Sequence, residues 1–139
     1  MRGLVLLLCL LASACAQQSP KDDSLYQQLG GEPGITRIVE GMLLRIAGDH
    51  RLVEHFQDID IQRLRDKLVE QFCLEAGGPC VYTGDSMADS HKGQGLTPSD
   101  FNALVENLQA AMTAEAVPIP AQNRLLARLA PMRGQVIDR

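Results

Sequence analysis

The residues of this 139-residue chain that could ligate a transition metal are three histidines, His50, His55 and His91, and two of its four cysteines, Cys73 and Cys80. The other two cysteines, Cys9 and Cys15, fall in the N-terminal apolar run and its boundary. A neutral imidazole suits iron, copper or zinc, and no CxxC pair, HExxH helix motif or CxxCH haem-attachment motif accompanies it. Nucleophilic and phosphate chemistry lack their motifs as well: there is no GxSxG around any serine, no Walker loop, no GxGxxG and no EF-hand loop. Taken alone, a histidine in a glycine-rich stretch such as that around His91 is ordinarily a surface residue, and Lys67 a solvated charge.

The elements that must position these groups are helical. Ser24-Leu25-Tyr26-Gln27 has the spacing of a capping box, and Gly30-Gly31 ends that short helix. Pro33 sits where a first-turn proline is tolerated, and Ile35, Ile38, Val39, Met42, Leu43 and Ile46 form one continuous stripe up to Gly48-Asp49. Asp58 or Asp60 can cap a third helix with Ile61, Leu64, Leu68 and Phe72 as its buried positions. Gly77-Gly78-Pro79 breaks the pattern, and Val81 to Gly95 is irregular apart from Met87 to His91. Thr97-Pro98-Ser99-Asp100 starts a helix on Phe101, Leu104, Val105, Leu108 and Met112, and a last helix carries Leu125, Leu126, Leu129 and Met132, with a bend at Pro131. No segment alternates with period two and no repeat is visible, so the fold class is all-α.

Thirteen Lys and Arg against 17 Asp and Glu give a formal charge of −4, and no basic run offers a grip on phosphates, so nucleic acid is excluded as an expected partner. The apolar fraction of 45% excludes intrinsic disorder. Part of it belongs to Leu4–Ala12, nine apolar residues after Met1-Arg2-Gly3 and before Ser13-Ala14-Cys15-Ala16, which read as an export signal over residues 1–14 and are too short for a membrane span. Two processing routes stay open. Ala14-Cys15-Ala16 suits an ordinary signal peptidase, and Ala12-Ser13-Ala14 before Cys15 resembles the lipobox of bacterial lipoproteins, with Cys15 lipidated. The expected location is the periplasm of a bacterium or its membrane surface, held only through an N-terminal lipid. Residues 15–23 are expected to be a polar tether, 24–133 the domain and 134–139 a tail. In an oxidising compartment Cys73 and Cys80 could pair; the Gly77-Gly78-Pro79 turn between them permits a bridge without fixing one.

The order of these features resembles the truncated haemoglobins, group I in particular. The resemblance rests on Leu25-Tyr26-x-x-Leu29-Gly30-Gly31, on Leu52-x-x-x-Phe56, on Gly77-Gly78-Pro79 followed by Tyr82-Thr83-Gly84, and most specifically on Met87-x-x-x-His91-x-Gly93-x-Gly95-Leu96-Thr97-x-x-x-Phe101. It runs from about Leu25 to about Met132. It implies a truncated globin fold, a two-over-two helical sandwich around a non-covalent haem b, with His91 as the proximal iron ligand. The haem-contacting residues it implies, with the apolar slot they form, are Phe56, Leu64, Lys67, Leu68, Phe72, Tyr82, Met87, His91 and Leu104.

The sequence departs from that family on the distal side. Where group I members usually carry a tyrosine on the second helix, the register set by Arg45 and Asp49 places Leu43; the phenylalanine usually before it is Met42, and the often polar position one turn after Leu64 is Leu68. The distal pocket is therefore expected to present Leu43, Leu64 and Leu68, with no tyrosine or glutamine donor. Lys67 is expected either to pair with a haem propionate or to act as a sixth iron ligand, as His55 could less readily. The function implied is reversible binding of a diatomic gas, oxygen, nitric oxide or carbon monoxide, with an unidentified electron donor or reductase as a separate partner. Two alternatives stand beside it: a haem enzyme oxidising nitric oxide or acting like a peroxidase, and a haemless helical lipoprotein serving as an interaction module.

Overall fold

The structure is a computed structural model and describes residues 21–139; the expected export signal and Cys15, the candidate lipidation position, lie outside the described residues. Seven α-helices follow in order, α1 (Ser24–Gln28), α2 (Gly31–Ala47), α3 (Ile61–Glu75), α4 (Met87–His91), α5 (Pro98–Ala114), α6 (Ile119–Leu129) and α7 (Arg133–Val136), with 3₁₀ turns at Val53–Phe56 and Ala130–Met132. Among the described residues there is no strand. The long helices form two layers: α2 packs on both α3 and α5, and α6 closes the arrangement by packing on the same two. This is the two-over-two sandwich that the resemblance implies.

The core follows the predicted α2 stripe, whereas of the predicted α5 and α6 stripes only Leu108, Met112 and Leu125 are buried; Phe101, Leu104, Val105, Leu126, Leu129 and Met132 are partly exposed towards a cavity. Leu25, Ile35, Ile38, Val39, Met42, Ile46, Leu52, Leu108, Met112 and Leu125 are buried together, and the α2 stripe supplies five of these ten. Gly34 lets α1 meet α2, because a Cβ there would lie 2.1 Å from the Leu29 carbonyl oxygen. The Asp60 side chain accepts from the Arg63 N–H at 3.0 Å and starts α3. Thr97 and Asp100 form a reciprocal capping box at α5, with Pro98 in its first turn. Pro131 ends the α6 register, as predicted, and the chain turns into α7.

Several expectations are corrected. Ser24 and Gln27 do not form a capping box: Asp23 is the N-cap, Gln27 donates to the Asp23 carboxylate, and the Ser24 hydroxyl accepts from Arg124 on α6. Within α3, Ile61 is exposed, and the buried positions are Val69, Gln71, Phe72 and Cys73. Leu64 and Leu68 are only partly buried because they face an opening in the molecule. Residues 134–139 are tied down: Val136 is buried, the Gly95 N–H donates to the Arg139 carbonyl at 3.0 Å, and the Asp138 N–H to that of Leu96 at 2.8 Å. At the other end, the Lys21 ammonium donates to the Gly78 carbonyl, so the end of the tether segment lies on the fold.

Cys73 and Cys80 are joined, with 5.8 Å between their Cα atoms. The bridge fastens the end of α3 to the loop that leads to α4. Gly78 inside that loop has no space for a side chain, since a Cβ would come within 2.6 Å of the Cys73 sulfur and 2.5 Å of the Tyr26 ring. By the loop-entropy argument, a bridge between residues seven apart in sequence stabilises a domain by ~2–3 kcal/mol. The Cys73→Ala/Cys80→Ala double variant is expected to lose that much in urea unfolding while keeping its helical circular dichroism.

Candidate functional site

One cavity of about 640 Å³ opens between α2, α3, α4, α5 and the α6–α7 turn. All of the haem-contacting and distal residues expected from the resemblance line it: Leu43 from α2, Phe56 from the 3₁₀ turn, Leu64, Lys67, Leu68 and Phe72 from α3, Tyr82 from the loop, Met87 and His91 from α4 and Leu104 from α5. Most of this wall is aliphatic or aromatic, and polar groups gather at its rim. His50 is exposed and lies outside the lining; His55 lies on the rim, 3.5 Å from the Asp100 carboxylate.

His91 has the geometry of a prepared ligand. Its Nδ1 lies 2.7 Å from the Met87 carbonyl oxygen, one turn earlier in α4. A carbonyl can only accept, so in the neutral ring Nδ1 carries the proton and Nε2 keeps its lone pair. That is the tautomer a metal requires, and the same bond fixes the ring plane. The helix holding it is short. Ser86 caps it by accepting from the Asp89 N–H, and α7 packs over it.

At the rim, Lys67 is already partnered. Its ammonium donates to Glu70 at 2.9 Å and to the Thr83 hydroxyl, while Glu70 also accepts the Thr83 N–H at 2.8 Å. The triad pins the loop before α4 to α3. The Thr83 backbone bond, followed by Lys67, holds the Glu70 carboxyl down from its ordinary 4.5 to about 2. A carboxyl depressed on folding binds fewer protons folded than unfolded. Its contribution is therefore complete above pH 4.5 and is lost as the pH falls towards 2. Glu70→Gln is expected to be less stable than the unaltered chain at neutral pH, with the gap closing over that window, as urea titrations at a series of pH values would read. Tyr82 donates its hydroxyl to the Asp85 carbonyl at 2.7 Å, and burial pushes its phenol up. Asp100 is held below the usual carboxylate range chiefly by the Thr97 N–H.

The sequence reading missed Gln71, Met132, Arg133 and Val136, which also line the cavity. Gln71 is a buried amide on the apolar side of α3; its only sequence signal is a position three after Leu68 and one before Phe72. Its Nε2 donates to the thioethers of Met87 at 3.3 Å and Met132 at 3.2 Å. Both N–H groups are thus used on the side of the cavity that holds His91. A glutamine lines the pocket after all, but its amide hydrogens are not turned to Leu43.

An apolar slot facing one histidine whose Nε2 is free suits a flat apolar macrocycle with a metal at its centre. Residues 24–138 match the family described as Bacterial-like globin. The chain belongs to this family. It is similar to the group 1 truncated hemoglobin GlbN of Mycolicibacterium paratuberculosis, at 33% identity over 113 residues, 81% of this chain and 83% of that protein. It is also similar to the group 1 truncated hemoglobin GlbN of Nostoc sp., at 30% identity, covering 84% of this chain and 98% of the relative. Among solved structures, the truncated hemoglobin of Tetrahymena pyriformis in its Fe(III) form superposes with a TM-score of 0.80 at 25% identity, covering 83% of this chain and 98% of that one. The 2/2 hemoglobin of Synechococcus sp., solved with covalently attached heme, shares the fold at a TM-score of 0.76 and 24% identity. As a globin of the truncated haemoglobin kind, the chain has the architecture of a haem protein.

Proposed function

We propose that this globin reversibly binds a diatomic gas at the iron of a non-covalently held haem b, with His91 as the proximal ligand. The observation that carries the reading is the His91 imidazole, held by the Met87 carbonyl so that Nε2 meets an apolar cavity. When bound, the haem supplies a ferrous iron with one open position for the gas. The chain's residues do the rest. Phe56, Leu64, Phe72 and Leu104 would bury the macrocycle and exclude water, and His91 would hold the metal. Leu43, Leu64 and Leu68 would give the gas an apolar side without a hydrogen-bond donor.

That apolar side favours ligands that do not depend on a donor, carbon monoxide and nitric oxide, over stable retention of oxygen. It also disfavours an oxidation cycle that must keep oxygen in place, so gas binding ranks above nitric oxide oxidation or peroxidase-like chemistry. An exported location would further require a separate electron donor outside the inner membrane. The test is reconstitution of the chain with haem: a Soret band and a carbon monoxide difference spectrum support the reading, and their absence overturns it.

Lys67 fits a rim role better than iron ligation, because its ammonium is already engaged by Glu70 and Thr83 and would have to leave both to reach a metal. Lys67→Ala is expected to leave the ferric and ferrous optical spectra unchanged. Conversion of a low-spin to a high-spin spectrum by that substitution would assign Lys67 to the iron instead.

A further inference from the structure

Helix α4 has five residues, too few to hold its own conformation in water, so the direction of His91 depends on what α4 is tied to. One tie is the packing of α7 on α4, and a second, indirect, is the pair of chain-end backbone bonds to Gly95 and Leu96 just beyond it. The third is Gln71. This side chain is 9% exposed, in a position between Leu68 and Phe72 where a leucine would pack as well. Both of its amide hydrogens go to sulfur, a weak acceptor, one on Met87 and one on Met132. A buried amide spent on weak acceptors gains little net hydrogen-bond energy over an apolar side chain of the same size. What it gains is direction: two thioethers, one from α4 and one from the turn before α7, are brought to a single nitrogen.

Met87 is also the residue whose carbonyl takes the His91 Nδ1 proton. We propose that Gln71 is a positioning residue for His91: by holding the Met87 and Met132 thioethers it fixes the carbonyl that accepts the imidazole proton, and so sets the orientation and basicity of the ligating nitrogen. The inference rests on His91 being the iron ligand of the preceding section. Outer partners of a metal-bound histidine act in this way, through the proton on the far nitrogen. Here the chain is one link longer, amide to thioether to carbonyl to imidazole.

The test uses the haem-reconstituted chain and three variants: Gln71→Met, which keeps length and volume but removes both donors, Met87→Leu, which removes one acceptor, and the double variant. Each single change is expected to move the ferrous iron–imidazole stretching band in resonance Raman to lower frequency. Each is also expected to speed haem loss to a competing apoprotein by roughly two- to tenfold, the range of one neutral hydrogen bond. The double variant is expected to be no worse than the singles, because they break one linkage. An unmoved band in Gln71→Met, or additive effects in the double variant, would show an amide that only fills space and overturn the proposal. The haem-free chain gives an independent reading, in which the His91 Nδ1 proton should exchange with solvent faster in Gln71→Met than in the unaltered protein. A chain without any Soret band would defeat the haem assignment, while that exchange measurement would still decide for or against the tie.

Discussion

His91→Gly is expected to remove the Soret band of the reconstituted protein and to leave its helical circular dichroism in place. His91 is the one histidine set into the wall of the cavity with Nε2 free, since His50 is outside the lining and His55 sits on the rim beside Asp100. Loss of an outer partner of a metal-bound histidine costs 10–100-fold in metal affinity, so loss of the ligand itself should cost more than about 100-fold. The fold should survive, because the buried cluster around Leu25, Ile38, Met42, Met112 and Leu125 does not include His91. Added imidazole can enter the space left by the side chain and is expected to restore the band. A Soret band of unchanged position and intensity in the variant would place the iron on another residue, and His55 would be the first to examine.

The parts of this molecule that were legible in the sequence are those where one local rule decides the outcome. The α2 stripe, the α5 start at Thr97-Pro98-Ser99-Asp100 and the Pro131 break follow from periodicity, end chemistry and a missing N–H, and each appears in the fold. The start of α1 was not legible in this way. Ser24 has the spacing of a cap, but Arg124, 100 residues away, takes its hydroxyl, and Asp23 stands at the cap position. The same holds for the chain end, whose residues 134–139 read as a tail and are kept in place by backbone bonds joining Asp138 and Arg139 to Leu96 and Gly95. Long-range partners leave no trace in local spacing.

The candidate site divides along the same line. Apolar lining residues are visible because they recur on helix faces, and His91 because its neighbours resemble a family motif. Gln71 was hidden: an amide inside an amphipathic helix reads as surface, and only the two methionine sulfurs, 16 and 61 residues away, give it a buried role. Ile61 was hidden for the converse reason. It continues an apolar stripe, yet at the first residue of α3 the helix has already left the core and the side chain is 46% exposed.

Leu43→Tyr is expected to slow oxygen dissociation from the ferrous protein by roughly three- to 150-fold. The range is that of one added hydrogen bond, from the low end of a neutral pair to the high end of one with a charged partner. The position is suited to the change. Leu43 lies on α2 in the cavity wall with Leu64 and Leu68, and it also borders a shallow apolar groove on the outer side with Leu44 and Ile61. A larger side chain can therefore be accommodated without displacing the buried stripe of Ile38, Val39 and Met42. Two donors of the cavity wall are already engaged elsewhere, since both amide hydrogens of Gln71 are committed to sulfur and the Lys67 ammonium to Glu70 and Thr83. Leu43→Phe separates the hydroxyl from the volume: it should leave oxygen dissociation near that of the unaltered protein, and carbon monoxide dissociation should change little in either variant. If oxygen leaves the unaltered protein slowly and Leu43→Tyr hardly changes that rate, then the distal side already holds a donor and the apolar reading of this pocket is wrong.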